Sequence, residues 1–373
     1  MIHRFVDVFP RERLPDIPIL GHDLAPTSTY TIWQIGNAAT PYRMISPIVA
    51  VGGSGTPHLG DPQREPVTGD TVVYCRFNIT GTINRSVRIV DWDDTNDTEL
   101  YADATGGTPR SLEPTWKPDG SKILFRAKGA GSVLNLLKHM DPDGSGVTTL
   151  YTGAGEVDGP TYSYDGTKIA WREGESIMVA NADGSSASAV FTASGGVMGN
   201  PAWQNGNLVL GFRYNASVAF TSDEIWRKIN DDGTGSTVLL TISRASGYGP
   251  GDGDPSAIMY SWRLDDSAIA TTVRQVADPN PDARLTLIDD AGGGSNLISP
   301  ARYGASNAGS EDTRPVVLAG MAEGVERIFW MEVASSVVAS ILPDGSDYRI
   351  DFDGTGTAGG SAFHGFRGDT VNV

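Results

Sequence analysis

EPTWKPDGSKILFRA (113–127) and GPTYSYDGTKIAWRE (159–173) follow the same order of residue types. Each stretch begins with a short strand pattern that contains an aromatic residue. A turn with an Asp-Gly pair follows, and then a strand pattern of alternating apolar residues. Apolar residues with a period of two, on both sides of a turn that tolerates positive φ, predict a β-hairpin. NPAWQNGNLVLGFRY (200–214) and IMYSWRLDDSAIATTV (258–273) are looser copies of this hairpin.

Further copies flank these four, and each is followed by a second hairpin. EPVTGDTVVYCRF (65–77) and RPVVLAGMAEGVERIFWME (314–332) have the same order of features in degenerate form. The second hairpins lie at 86–101, 133–151, 176–192, 224–241, 283–299 and 336–350. Two hairpins in each repeat make a four-stranded antiparallel unit, which is the blade of a β-propeller.

The spacing of the turns supports this architecture. Equivalent turn positions are held by Gly69, Gly120, Gly166, Gly206, Asp266, Gly324 and Gly368. The steps range from 40 residues (Gly166 to Gly206) to 60 residues (Gly206 to Asp266). Such steps exceed the period of leucine-rich or ankyrin repeats and suit blades that are joined by loops of variable length.

The two ends of the chain are predicted to complete one composite blade. The segment 361–373 is typical of a first hairpin, and 29–46 is typical of a second one. Closure of this kind removes the exposed sheet edge of an open ring. We therefore predict an all-β chain that forms a single β-propeller of four-stranded antiparallel blades. Seven blades are expected, and six or eight also fit the degenerate repeats.

The predicted domains are an N-terminal arm (1–28) and the propeller (29–373). The arm is rich in proline, and it either packs across the propeller or docks on a partner chain. Long loops at 47–64, 244–257 and 299–313 interrupt the repeat. Loops on a rigid scaffold often carry binding surfaces, although tolerated insertions have the same appearance.

The pattern of Pro, Trp, Pro-Asp-Gly and alternating apolar residues at 114–125 resembles the TolB-type propeller repeat, a relative of the WD-repeat. The resemblance covers nearly the whole chain after residue 28 and is clearest at Trp116–Phe125 and Tyr162–Trp171. It implies a propeller fold and a tendency to bind other proteins, and it transfers no catalytic residue. The periplasmic members of that family have an export signal, whereas none is recognisable here.

Composition narrows the expected partners and location. The net charge is −17, and no run of Lys or Arg occurs. Nucleic acids and anionic membranes are therefore not expected as ligands, since they bind basic surfaces. No apolar stretch is long enough to span a membrane, and the first residues lack a signal-peptide pattern. We expect cytoplasmic synthesis without a cleaved signal peptide.

A search for reaction centres assigns no catalytic, cofactor-binding or metal-binding residue. Neither a G-x-S-x-G elbow nor a phosphate-binding P-loop occurs. The G-x-G-x-x-G match at 354–359 leads into another strand pattern, whereas a dinucleotide site needs a helix there. The five histidines are scattered, and Cys75 lies in an apolar strand pattern that predicts a buried thiol.

Acidic turns at 91–99, 141–146, 181–186 and 230–235 resemble calcium loops. An EF-hand loop needs a glutamate at its twelfth position. Counted from Asp141 and from Asp231, the twelfth residues are Thr152 and Ile242. The favoured interpretation is a hairpin turn in which Asp or Asn binds its own backbone. The segment 91–99 is the best calcium candidate. No cofactor is therefore assigned.

The expected function is that of a non-enzymatic structural or interaction protein. Its partners would be other protein subunits of a larger assembly, such as a phage tail or baseplate in a virion. One alternative is an adhesin that binds carbohydrate on a cell surface. Another is an enzyme with carboxylates in the central channel. Acidic side chains that converge in one pocket with raised pKa values would favour it, and a channel lined by small and apolar residues would exclude it.

Overall fold

The structure is a computed structural model, and it describes part of the chain. The described residues are 17–23, 30–35, 43–47, 57–78, 84–93, 95–103, 106, 111–129, 133–215, 223–242, 248–249, 260–275, 283–292, 295–297, 317–322, 325–332, 337–347, 349–353 and 361–365. Most of the predicted arm, residues 48–56 of the first long loop, residues 244–257 apart from 248–249, all of 299–313, and residues 354–360 therefore lie outside the described residues. The loop prediction is wrong for residues 57–64 and 248–249, which form strands because they pair with the strands that follow them in their blades.

Strands are the only regular secondary structure in the described part of the chain, where no helix could span a membrane. The first fifteen strands are β1 Ile17–Asp23, β2 Tyr30–Ile35, β3 Arg43–Pro47, β4 Pro57–Arg64, β5 Thr71–Asn78, β6 Arg85–Asp91, β7 Thr98–Ala102, β8 Thr115–Trp116, β9 Ile123–Ala127, β10 Leu136–Met140, β11 Thr148–Thr152, β12 Val157–Tyr162, β13 Lys168–Glu173, β14 Ser176–Asn181 and β15 Ser188–Thr192. The other fifteen are β16 Val197–Met198, β17 Ala202–Trp203, β18 Val209–Asn215, β19 Glu224–Asn230, β20 Thr237–Ile242, β21 Tyr248–Gly249, β22 Ser261–Trp262, β23 Ala268–Gln275, β24 Ala283–Asp289, β25 Ser295–Leu297, β26 Val317–Ala322, β27 Val325–Glu332, β28 Val337–Ile341, β29 Arg349–Asp353 and β30 Ser361–Gly365.

The described strands form seven antiparallel sheets, which is consistent with the seven predicted blades. Blades 1, 2, 3 and 6 are the meanders β4–β7, β8–β11, β12–β15 and β26–β29. Blades 4 and 5 have a first strand in two pieces, β16 with β17 and β21 with β22. Neighbouring blades meet through β4, β8, β12, β17, β22 and β26, so the first strand of each blade is the innermost.

The composite blade exists, but its strands divide differently from the prediction. Among the described strands its order is β3, β2, β1, β30, so the N-terminal part supplies three strands and residues 361–365 supply one. The strand Ile17–Asp23 lies inside the segment 1–28 that was assigned to an arm. Pro18 of this strand pairs with β2 only, because β30 pairs with β1 from Leu20 onward. A proline is tolerated where one side of the strand has no ladder partner.

Aromatic residues pack between the blades, as their register in the repeat predicts. Trp116, Tyr162, Trp171, Trp226 and Trp262 are all buried. The Trp262 indole donates a hydrogen bond of 3.1 Å to the backbone carbonyl of Ala202 in the preceding blade. The Trp116 indole donates in the same way to Gln63, at 3.2 Å. These contacts give the rings a structural role in holding adjacent blades together.

A glycine in the turn between the third and fourth strands of a blade fits against the preceding blade. A Cβ at Gly184 would lie 2.9 Å from the Leu150 Cα and would collide with the Leu150 carbonyl oxygen. A Cβ at Gly144 would lie 2.9 Å from the Leu100 carbonyl oxygen, whereas one at Gly233 or Gly292 would lie 3.3 Å from the carbonyl oxygen of Val190 or Val238, which is tight but not a collision. All four glycines have positive φ. Gly144 and Gly184 therefore exclude a side chain for two independent reasons, and Gly233 and Gly292 mainly through their backbone conformation.

Gly184→Ala is expected to lower the free energy of unfolding by about 2–4 kcal/mol, because backbone strain and a collision with β11 add together. Gly174→Ala is the matched control, since Gly174 has a φ of 57° and a Cβ added there would meet no atom within 4 Å. It is expected to cost about 1 kcal/mol from φ alone. Urea unfolding of both variants measures the difference, and equal losses would contradict the packing role of Gly184.

Candidate functional site

The turns of the meanders define one end of the propeller, here called the turn face. Inner turns join the first and second strands of a blade, and outer turns join the third and fourth. Both lie at the same end of an antiparallel meander. The two turns of a blade are hydrogen-bonded to each other, for example Ala182 N–H to the Thr167 carbonyl at 2.9 Å and Asp231 N–H to the Leu208 carbonyl at 3.0 Å.

Outer turns are closed by an aspartate that binds a Ser or Thr two residues later. Asp232 Oδ1 accepts hydrogen bonds from the Thr234 amide at 2.8 Å and hydroxyl at 2.6 Å. Asp344 accepts the same two bonds from Ser346. The segment 91–99, the best calcium candidate, has this arrangement too, with Asp93 accepting the Thr95 amide at 3.1 Å. This supports the interpretation of these segments as hairpin turns.

The hydrogen bonds in the outer turns keep exposed carboxylates ionised. Bonds from the Ser or Thr side chain and amide lower the pKa of four aspartates, Asp143, Asp183, Asp232 and Asp344. A carboxyl whose pKa is lowered by folding stabilises the fold above its unfolded pKa, and this contribution is lost as pH falls through the folded pKa. The turn face therefore keeps its negative charge throughout the neutral and mildly acidic range.

We expect these four aspartates to titrate below about pH 3.9, the ordinary value for the side chain. Carboxyl chemical shifts followed by NMR measure each midpoint. In Ser346→Ala the hydroxyl bond to Asp344 is lost, so the midpoint of Asp344 should rise while those of the other three stay unchanged. An unchanged Asp344 midpoint would show that the hydroxyl does not set its pKa.

Inner turns of neighbouring blades are joined by side chains. The Asp266 carboxylate of blade 5 accepts the backbone N–H groups of Asn205 at 2.6 Å and Gly206 at 2.8 Å in blade 4. Burial raises the pKa of Asp266, and these bonds oppose that effect. Arg263 forms an ion pair of 2.6 Å with Glu326 in blade 6. The inner turns of blades 4 to 6 thus form a connected rim.

Large apolar side chains are exposed mainly at this face. Among the described residues, six large apolar side chains are more than a third exposed, and five of them lie at the turn face: Val67, Val147, Tyr164, Val238 and Val325. The sixth, Val133, lies between the second and third strands of blade 2, at the opposite end. Exposed apolar side chains that gather on one surface mark contact sites more often than scattered ones do.

The charge of the turn face is negative because its carboxylates outnumber its basic groups. Lys117, Lys122, Lys168 and Arg263 form ion pairs with carboxylates at 2.6 to 3.4 Å. Asp119 and Asp265 are partners in such pairs. The exposed aspartates in the two rings of turns are Asp93, Asp119, Asp143, Asp165, Asp183, Asp232, Asp265, Asp289 and Asp344. The face therefore combines apolar tips with a surplus of negative charge.

A second cluster of polar groups lies at the inner strands of blades 2 and 3. Arg126, which is buried, forms ion pairs with Glu113 at 3.0 Å, with Glu156 at 3.7 Å, and with Asp158. Asp158 also binds Arg172. In the described part of the chain this inner charge cluster is a place where carboxylates converge, which is one of the two signs named for the enzyme alternative. Both guanidinium groups engage Asp158, so it lacks the free lone pairs of an unpaired base.

An acidic residue of the inner charge cluster has an uncommon backbone conformation. Glu113 precedes a proline and has a φ of 49°, and Asp61 is in the same position in blade 1 with a φ of 50°. The Glu113 carboxylate accepts a 2.7 Å hydrogen bond from the Gly159 amide of the next blade. The strained backbone thus places Glu113 where it joins blade 2 to blade 3, which is a structural use of the carboxylate.

Sequence reasoning missed the arginines of the second strands. Arg126, Arg172 and Arg213 each stand three residues after the apolar residue that pairs with the first-strand aromatic. The signal was present in KILFR, KIAWR and LVLGFR. These arginines escaped notice because the repeat was interpreted through its apolar residues and turns.

The single cysteine is buried, as its strand pattern predicts. The Cys75 sulfur accepts a hydrogen bond from the Leu112 amide, and burial raises the pKa of the thiol to about 12. Among the described residues, no group of three or more His, Cys, Asp and Glu side chains could hold a metal ion. His3 lies outside the described residues, and only His139 among the histidines has a described side chain.

Comparison with known proteins identifies the fold and no family. No family model matches the chain, and no curated protein matches it. One similar solved structure comes from an analysis of two prolyl endopeptidases. Its TM-score is 0.57 and its identity is 8%, and the match covers 90% of this chain and 49% of the endopeptidase. This chain thus spans about half of that peptidase. An oligogalacturonate lyase in complex with manganese has a TM-score of 0.52 and 12% identity, over 94% of this chain and 96% of that one.

TolB from Acinetobacter baumannii is also similar, with a TM-score of 0.49 and 12% identity over 96% of this chain and 65% of that one. The prolyl endopeptidase and the lyase are enzymes, so a non-enzymatic role stays a prediction. Identities this low indicate the all-β propeller architecture alone.

Proposed function

We propose that this chain is a non-enzymatic β-propeller that serves as a protein-binding platform in a larger assembly. The observation that carries the proposal is the turn face, where exposed apolar tips and aspartates stand on turns that are fixed within and between blades. A preformed surface loses little conformational freedom when it binds, and more of the contact energy then appears as affinity. Such a surface suits a stable contact with another subunit.

The setting that we propose is a virion, with the chain as a tail or baseplate component made in the cytoplasm. The negative net charge fits a role among proteins better than a role on nucleic acid. A carbohydrate-binding adhesin shares the need for an exposed rigid surface and differs in its ligand. A glycan array that includes bacterial polysaccharides separates the two, since the platform should give no selective hit.

An enzyme is the second candidate, and the inner charge cluster is the observation that favours it. Glu113 and Glu156 keep side-chain exposures of 16% and 26%, so a small molecule has some access to them. The ion pairs with Arg126 speak for a structural role, because the guanidinium engages carboxylate oxygens that a catalytic base would present to a substrate. Glu156→Gln separates the roles: a screen that finds an activity in the native protein and loses it in this variant would favour the enzyme.

The platform proposal is tested by following the native protein in its source. Particle fractions are purified, crosslinked through carboxyl and lysine groups, and analysed by mass spectrometry. The expected result is a fixed stoichiometry in a particle and crosslinks to one or two neighbouring subunits. Recovery of the protein solely as a free monomer, absent from every particle fraction, would rule the proposal out.

A further inference from the structure

We propose that the turn face is the docking surface of the platform, and that its partner is a protein segment in which basic and apolar side chains alternate. This inference rests on the proposed function and adds the chemistry of the partner. Two independent features carry it: the exposed apolar tips of the inner turns, and the surplus of negative charge that surrounds them.

The apolar feature is the uneven placement of exposed side chains. Val67, Tyr164 and Val325 are 46%, 38% and 46% exposed and belong to inner turns of three different blades. The Gly120 backbone of blade 2 lies beside Val67 and Glu65, and Lys117 lies beside Gly166, so the inner turns of blades 1 to 3 touch one another. Val67 and Tyr164 therefore stand on one continuous support, where one extended ligand could contact both, and Val325 adds a further tip on the same face.

The electrostatic feature selects the occupant. A second copy of this chain would bring the same acidic face or another surface of a strongly acidic protein, and like charges would repel. Turn-face lysines are already in ion pairs, and Asp165 and Asp265 are exposed, Asp265 with one oxygen 3.1 Å from Arg263. Charge complementarity thus calls for Lys or Arg in the partner, spaced so that apolar side chains meet the tips.

Fixed turns make this surface specific. Asp165 Oδ1 accepts the Thr167 amide at 3.0 Å, and Asp265 Oδ1 accepts the Ser267 amide at 3.0 Å. The second oxygens are held too, since Asp165 Oδ2 accepts from the Thr167 hydroxyl at 2.8 Å and Asp265 Oδ2 lies 3.1 Å from Arg263. A carboxylate has about four acceptor sites, so each group keeps capacity for a ligand. Their positions are set before binding, so a segment with the wrong spacing of charges gains less than one with the matching spacing.

The test uses the full chain and three fluorescent peptides of equal length as probes. One alternates lysine and leucine, the second alternates glutamate and leucine, and the third alternates lysine and serine. Anisotropy at physiological salt measures affinity. The lysine–leucine peptide is expected to bind with saturation, the glutamate–leucine peptide not at all, and the lysine–serine peptide about tenfold more weakly than the first.

Variants locate the site. Tyr164→Ser and Val67→Ser should each weaken binding of the lysine–leucine peptide by about fivefold or more. Val133→Ser, at the opposite end of the propeller and 40% exposed, is the matched control and should leave the affinity unchanged. Asp165→Asn combined with Asp265→Asn should weaken binding and reduce its dependence on salt. Thermal unfolding of each variant shows that its fold is intact.

Three outcomes would overturn the inference: equal affinity for the two lysine peptides, no change in the turn-face variants, or an equal loss in Val133→Ser. These outcomes differ from failure of the platform proposal, which is decided by the crosslinks in the native particle. Crosslinks to a partner at the opposite end would keep the platform and exclude the turn face. Absence from every assembly would remove the platform whatever the peptides do.

Discussion

Deletion of residues 361–373 is expected to abolish the native thermal transition or to lower its midpoint by more than about 10 °C. The deletion removes β30, which pairs with Leu20–Asp23 of β1 and is the one strand that the C-terminal part gives to the composite blade. Without it, β1 presents a row of unpaired backbone groups. Such an edge recruits other chains, so aggregation is the expected accompaniment.

Calorimetry and light scattering on the truncated chain measure this effect. Deletion of 366–373 alone is the control, since it keeps all of β30. The structure leads us to expect a near-native transition for the control, whereas the predicted two-stranded contribution of 361–373 would make both deletions equally harmful. Native behaviour of the longer deletion would show that the composite blade does not hold the propeller together.

Glu224→Ala is expected to lower the free energy of unfolding by about 3–5 kcal/mol, the range for removing one partner of a buried ion pair. The Glu224 carboxylate accepts from Arg213 at 3.2 Å and from the Trp226 indole at 2.9 Å. The Arg213 side chain is 1% exposed. The variant therefore leaves a buried guanidinium without this carboxylate and an indole N–H without its acceptor.

Glu224→Gln is the matched control for size and shape. Its amide oxygen accepts from Arg213 or from Trp226, and its NH₂ group faces the other donor, so an intermediate loss is expected. Urea unfolding at neutral pH measures both variants. A loss below about 1 kcal/mol for Glu224→Ala would place the pair among ion pairs of little net value.

The repeat made most of the fold predictable. A blade needs two hairpins and a core residue at a fixed place, and Trp116, Tyr162 and Trp262 satisfy both needs in sequence and in structure. Turn chemistry was equally readable, because Asp-Gly followed by Ser or Thr has one common backbone solution. The sequence also placed Asp266 at the turn position that glycine holds in other blades. In the structure Asp266 has a positive φ of 59°, close to the φ values of Gly120 and Gly166.

Features that depend on distant residues were harder to predict. The strand at Ile17–Asp23 was missed because Pro18 argues against a ladder, and only the position of β30 shows that one side of Pro18 needs no partner. The inner charge cluster joins Glu113, Arg126 and Asp158 from two blades. Its members are ordinary polar residues within their own hairpins, and only the stacking of blades brings them together.

The candidate site shows the same limit. Exposed valines are common on any surface, and nothing in the repeat distinguishes Val67 or Val325 from other residues near turns. Their grouping at one end follows from the packing of blades and is visible only when the exposures are known. The acidic composition, by contrast, was readable at once, and it is the reason that polyanions are not expected as ligands.

The glycine contact of the outer turns gives the ring a direction. Each blade with this contact places a turn glycine, such as Gly184, against the outermost strand of the preceding blade, for example at Leu150. The contact always runs in the same direction, from the glycine of one blade to the preceding blade, at Gly144, Gly184, Gly233 and Gly292. A blade-length stretch copied within the gene would therefore carry both the glycine turn and the strand that receives the next glycine. Such a copy fits its neighbours without new contacts having to arise, which is a route by which propellers of this kind change their number of blades.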